Sequence, residues 1–185
     1  MTLNLLNNQP WPRGCAQVYT GNGKGKTTAA FGLALRAAGR GMRCFIGQLM
    51  KGSEYGELAG AAALGDLITV EQLGSAECIP LREDPAPEDV ELARRGLSRC
   101  REALLSGDYR VVIVDEGCVA VHFKLISEAD LLSLVDDRPD GVELVVTGRY
   151  APESLLDRAD LVTEMRDVKH YFDTESLPAR DGIER

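Results

Sequence analysis

The sequence predicts an α/β fold with a mainly parallel β-sheet and helices on both faces. Three observations predict it. Strand-like apolar runs alternate with helix-like runs along the chain. The run 109–114 is almost wholly apolar, as a strand covered on both faces must be. A glycine-rich turn joins the first strand to the first helix, in the place a phosphate-binding loop needs.

The elements follow in order. Ala16-Gln17-Val18-Tyr19 is the first strand, and residues 29–36 form the body of the first helix, stopped by Gly39-Arg40-Gly41. Residues 42–49 are the second strand. A loop over 51–57 leads to a short alanine-rich helix, 58–64, that ends at Gly65. Residues 67–70 are the third strand. The stretch 74–87 carries three prolines and is irregular. Residues 88–106 form the longest helix, closed by Gly107, and the apolar strand 109–114 follows. Ser127-Glu128-Ala129-Asp130 resembles a capping box, with Asp in the Glu position, before the apolar run 131–135. Residues 142–147 are a strand, 152–159 a short helix and 161–165 the last strand. There is no internal repeat or linker. One domain over 1–185 is expected, with a short N-terminal segment at 1–14 and a C-terminal tail at 166–185.

Composition excludes several classes. The chain has 185 residues, 44% of them hydrophobic, which argues against disorder. The formal net charge of −8 argues against nucleic acid as the main partner. No apolar run reaches the length of a membrane span, and the N-terminus lacks a signal pattern. The five cysteines (Cys15, Cys44, Cys78, Cys100, Cys118) are scattered without a C-x-x-C pair, which fits reduced thiols in the cytoplasm. His122 and His170 are too few to complete a structural zinc site, and His122 sits among apolar neighbours as a structural histidine would.

The chemistry concentrates in Thr20-Gly21-Asn22-Gly23-Lys24-Gly25-Lys26-Thr27-Thr28. Glycines let backbone N–H groups turn toward phosphate oxygens, and the helix start adds partial positive charge. Lys26 supplies a full charge, and the Thr27 hydroxyl is placed to reach a Mg²⁺ ion. The fold is thereby P-loop NTPase-like. The loop departs from G-x-x-x-x-G-K-[ST]: Thr20 holds the first glycine position, the glycine comes at Gly21, and Lys24 is an extra cation. Asp115-Glu116 ends the apolar strand, where one carboxylate can serve a metal. Arg149 follows the next strand and can pair with phosphate. Lys51-Gly52 follows the second strand and is a weaker candidate. No nucleophile–base arrangement is visible, which suits a nucleophile that arrives already charged.

Together these stretches resemble the P-loop type ATP:corrinoid adenosyltransferases. The resemblance rests on the loop Gly21–Thr28, on Met50-Lys51-Gly52 with Tyr55-Gly56-Glu57, and on Val112-Ile113-Val114-Asp115-Glu116. It extends through Arg138-Pro139, Thr147-Gly148-Arg149, Ala159-Asp160-Leu161-Val162-Thr163-Glu164-Met165, Val168-Lys169-His170 and Gly182-Ile183-Glu184. It implies transfer of the 5′-deoxyadenosyl group of ATP to Co(I) of a corrinoid, with intact triphosphate leaving and the phosphates reversed relative to ordinary P-loop enzymes. By resemblance, Asn22, Gly23, Lys24, Gly25, Lys26, Thr27 and Thr28 hold the phosphates, Arg149 contacts them, and Thr27 with Glu116 ligates Mg²⁺ or Mn²⁺. A homodimer, and a reductase that supplies electrons to cobalt, are implied too. Some members place aromatic residues against the corrinoid after the third strand. Residues 73–81 contain none here, and Ile79 and Leu81 are the nearest apolar candidates. Two alternatives remain: an ordinary P-loop phosphohydrolase or kinase, and a non-catalytic corrinoid- or nucleotide-binding protein.

Overall fold

The computed structural model describes residues 13–53, 55–75 and 85–184. Strand β1 (Ala16–Thr20) feeds helix α1 (Lys26–Ala38), then β2 (Cys44–Gln48), α2 (Gly56–Ala62) and, after a single 3₁₀ turn, β3 (Ile68–Gln72). Helix α3 (Pro87–Leu105) precedes β4 (Val111–Asp115), α4 (Gly117–His122), α5 (Glu128–Asp136) and β5 (Glu143–Thr147). Helix α6 (Glu153–Arg158), β6 (Leu161–Glu164) and α7 (Tyr171–Glu175) complete the described chain. All strand pairings are parallel, in the order β3-β2-β4-β5-β1-β6.

The sheet is covered on both faces, as its apolar runs demand. In β4, Val112 and Val114 turn to the layer that holds α3, α4, α5 and α6. Val111 and Ile113 turn to the opposite layer, against Ala30 and Ala34 of α1. All four are fully buried, and each stabilises the fold by about 1.5–3 kcal/mol. Alanines on the inner stripe of α1 bring that helix close to the sheet. At the start of α5 the Ser127 side chain accepts from Asp130 N, and the Asp130 carboxylate accepts from Ser127 N, so the capping box forms with Asp in the acidic position.

Two differences from the sequence reading concern helices. Two of them, α4 and α5, connect β4 to β5, where the alternation implied one. The tail also contains α7, capped by His170 Nδ1, which accepts from Phe172 N at 3.1 Å. Ile79 and Leu81 lie outside the described residues.

The strand order sets the site. From β1 the chain passes over β5 and β4 to reach β2. The carboxyl ends of β1, β2, β4 and β5 therefore surround the start of α1, the crevice in which such sheets take ligands.

Candidate active site

The loop after β1 is held by close backbone packing. Gly21 has φ +93°, and a Cβ there would lie 2.4 Å from Met165 O. A Cβ on Gly23 would lie 2.7 Å from the carbonyl carbon of Arg166. Gly23 N donates to Met165 O at 2.7 Å, so the loop rests on the backbone just past β6. The glycine one place later than usual is thus required by conformation and by space.

Lys26 opens α1 and is 7% exposed. Its ammonium donates to Gly21 O and Gly23 O, both at 2.8 Å, which centres the charge in the loop. Burial lowers its pKa, while the Glu116 charge opposes that shift.

Asp115, at the end of β4, is fully buried. Its Oδ1 accepts from the Thr27 hydroxyl (2.9 Å) and the Thr147 hydroxyl (2.7 Å). Its Oδ2 accepts from Gln48 Nε2 and pairs with Lys51 Nζ, both at 3.2 Å. Lys51 also meets Glu57 at 3.2 Å and lies 4.9 Å from the centre of the Tyr55 ring. Burial alone would depress Lys51, but Asp115 and Glu57 outweigh it and leave its pKa raised. The next residue, Glu116, is left-handed (φ 62°), and its N–H donates to Thr147 Oγ1 at 3.0 Å. The two neighbouring carboxylates therefore diverge: Asp115 is consumed by the frame, and Glu116 lines the cavity. Burial and the charge of Asp115 raise the Glu116 pKa, against the pull of Lys51, Lys26 and Arg149.

The cavity has a volume of about 690 Å³. The sequence-predicted cradle residues Asn22, Gly23, Lys24, Gly25, Lys26, Thr27 and Thr28 all line it, with Glu116 and the exposed Arg149. Phe31, Tyr55 and tail residues 182–184 line it as well. The sequence reading missed Thr147 as the joint between Asp115 and Glu116. Lys51, a weaker candidate in the sequence, also lines the cavity; its only signal was a lysine shortly after a strand at the carboxyl edge. His122 stacks on Tyr150, with centroids 4.0 Å apart, and does not line the cavity. The described residues contain no cluster of three or more His, Cys, Asp or Glu groups fit to hold a metal. Thr27 and Glu116 instead offer two hard oxygens beside the lysines, a donor set suited to a cation that takes its other ligands from phosphate and water.

Residues 12–185 match the family model described as ATP:corrinoid adenosyltransferase BtuR/CobO/CobP. The chain belongs to this family. Among relatives of this adenosyltransferase family, the chain is 34% identical to the corrinoid adenosyltransferase CobA of Salmonella typhimurium, over 93% of this chain and 86% of that protein. It is 33% identical to the corrinoid adenosyltransferase of Escherichia coli K12, with the same coverage. The corrinoid adenosyltransferase of a Sinorhizobium species is 31% identical, over 93% of this chain and 80% of its own length.

Proposed function

We propose that the protein transfers the 5′-deoxyadenosyl group of ATP to Co(I) of a corrinoid, in the making or salvage of adenosylcobalamin. Co(I) forms a bond to C5′, the C5′–O bond breaks, and its electron pair leaves with the triphosphate. The observation that carries this reading is the cavity: Lys24 and Lys26 at the start of α1, Lys51 after β2 and Arg149 after β5 all line it. Such an array stabilises charge on a whole departing triphosphate, in a site already organised before reaction. The loop N–H groups and Lys26 orient the chain of phosphates, which holds C5′ for in-line attack. Thr27 and Glu116 are the residues that would hold Mg²⁺ or Mn²⁺. A bound divalent ion would neutralise phosphate charge. The chain's own part is then to keep Glu116 turned inward, through its bond to Thr147.

Asp115 has no part in ligand binding on this reading, because its oxygens are occupied by Thr27, Thr147, Gln48 and Lys51. We infer further that the protein works in the cytoplasm as a homodimer, supplied with Co(I) by a reductase. Its four described cysteines are free thiols, in keeping with a reducing compartment. No helix among the described residues is long and apolar enough to cross a membrane.

One observation favours the phosphohydrolase reading: Glu116 faces the cavity with a raised pKa, as a group that orients water would. Products decide between the two. With ATP, Mg²⁺ and a Co(I) corrinoid, the expected outcome is adenosylated corrinoid and triphosphate in equal amounts. Steady ADP release without corrinoid would replace this reading with phosphohydrolysis. Corrinoid binding without turnover would replace it with a carrier role.

A further inference from the structure

The C-terminal tail returns across the cradle. Lys24 Nζ donates to Ile183 O at 3.0 Å. Beside that carbonyl, Glu184 accepts from Arg180 N (2.9 Å), Nε (3.2 Å) and a terminal guanidinium nitrogen (3.2 Å). The Tyr171 hydroxyl donates to the same carboxylate. The Arg180 guanidinium also lies 4.9 Å over the Tyr171 ring. Glu184 itself lines the cavity. A carboxylate facing a polyphosphate repels it, so Glu184 does not serve the ligand through its charge.

We propose that Glu184 is a positioning residue: it clamps the tail to Tyr171 and Arg180, so that the Ile183 carbonyl holds the Lys24 ammonium against the phosphates of ATP. This rests on the nucleotide reading above. An ammonium has three donors. One spent on Ile183 O leaves two for phosphate oxygens and fixes their direction. A free lysine must give up its rotamer freedom when the ligand arrives. A lysine already held by the tail has lost it before binding, which is preorganisation. Arg180, and then Tyr171, hold the Glu184 pKa down at about 2, so the clamp stays ionised at any working pH.

Charge and clamp predict opposite signs. Glu184→Gln removes a negative charge from an anion site, which by charge alone tightens ATP binding. The clamp predicts weaker binding. Calorimetric titration with ATP and Mg²⁺, without corrinoid, reads the answer. We expect Kd to rise about fivefold in Glu184→Gln and in Tyr171→Phe, the loss of roughly one exposed charged contact. KM for ATP should rise alike, with kcat within about twofold, the signature of uniform binding. In a Lys24→Ala background the Gln change should add nothing, because the clamp acts through that lysine. Unchanged or tighter binding in Glu184→Gln would overturn the proposal. So would an equal loss with and without Lys24. A native protein that binds no ATP would overturn the nucleotide reading and the clamp with it. Normal wild-type binding with unaffected variants would overturn the clamp alone.

Discussion

The Thr27 hydroxyl donates to Asp115 Oδ1 across 2.9 Å, which ties the start of α1 to the end of β4. With Thr147, Gln48 and Lys51 on its other lone pairs, Asp115 is saturated. It acts as the joint on which the cradle, the Glu116 turn and Lys51 are mounted.

Removing that joint should cost stability before it costs chemistry. Asp115→Ala leaves the donors of Thr27, Thr147 and Gln48 without their shared acceptor at a fully buried position, and it takes from the Lys51 ammonium one of its two carboxylate partners, leaving Glu57. We expect a loss of about 3–5 kcal/mol in urea unfolding, the usual cost of breaking a buried pair from one side. Asp115→Asn keeps the shape and should lose less. A fully stable but inactive Asp115→Ala protein would show that the residue touches ligand instead.

Lys26→Ala should behave in the opposite way. On the proposed function this charge stands where leaving-group charge develops, so turnover should fall by roughly 10²–10³-fold. Burial already disfavours the charged ammonium in the free protein. Its removal should therefore move stability by less than about 1 kcal/mol. Turnover with saturating ATP and a thermal melt of the same preparation test both halves.

The sequence showed some of this architecture and hid the rest for physical reasons. The loop Gly21–Thr28 and β4 were legible because their signals are local: glycine placement, one lysine, and an unbroken apolar run. Strand ends moved by one or two residues. Helix α4 escaped because Gly-Cys-Val-Ala-Val-His has neither a cap nor a polar face. Helix α7 is only five residues, and its cap is a histidine ring. The bond from Lys24 to Ile183 joins residues 159 apart, which no local pattern encodes. By their place at the strand end Asp115 and Glu116 were equivalent, and only the family resemblance set Glu116 apart. They separate only because the left-handed turn at Glu116 sends its side chain into the cavity.

Glu116 gives a pH test. Burial, and then the charge of Asp115, raise its pKa above 4.5 in the folded protein. Between 4.5 and that raised value the folded state holds more protons than the unfolded chain. Stability from this group therefore falls as pH rises through the window, and the penalty is complete above it. Glu116→Gln removes the penalty. We expect its urea midpoint to match that of the unmodified protein near pH 4 and to exceed it at pH 7. The same variant should need more Mg²⁺ for half activity, because an amide is a poorer ligand for a hard cation. Equal midpoints at both pH values would place Glu116 in a solvated setting. An unchanged metal requirement would remove it from the metal site.

A single kind of substitution at two glycines should give opposite results, and this tests the loop geometry most directly. At Gly23 a methyl group meets the carbonyl carbon of Arg166 at 2.7 Å and Met165 O at 2.8 Å. Those atoms belong to backbone that cannot swing aside as a side chain end can. Gly23→Ala must therefore push the loop off the tail and break the Gly23 N bond to Met165 O. Both the cradle N–H groups and the Lys26 ammonium, which is anchored on Gly23 O, then lose their aim. We expect ATP binding to weaken by tenfold or more, about 1.4 kcal/mol. At Gly32, inside α1, a methyl group meets nothing within 4 Å. Gly32→Ala only lowers the entropy of the unfolded chain, so it should stabilise by about 0.5–1 kcal/mol and leave turnover unchanged. Titration with ATP and thermal melts of the two variants check both signs. If Gly23→Ala binds ATP normally, the contact between loop and tail is not what shapes the cradle.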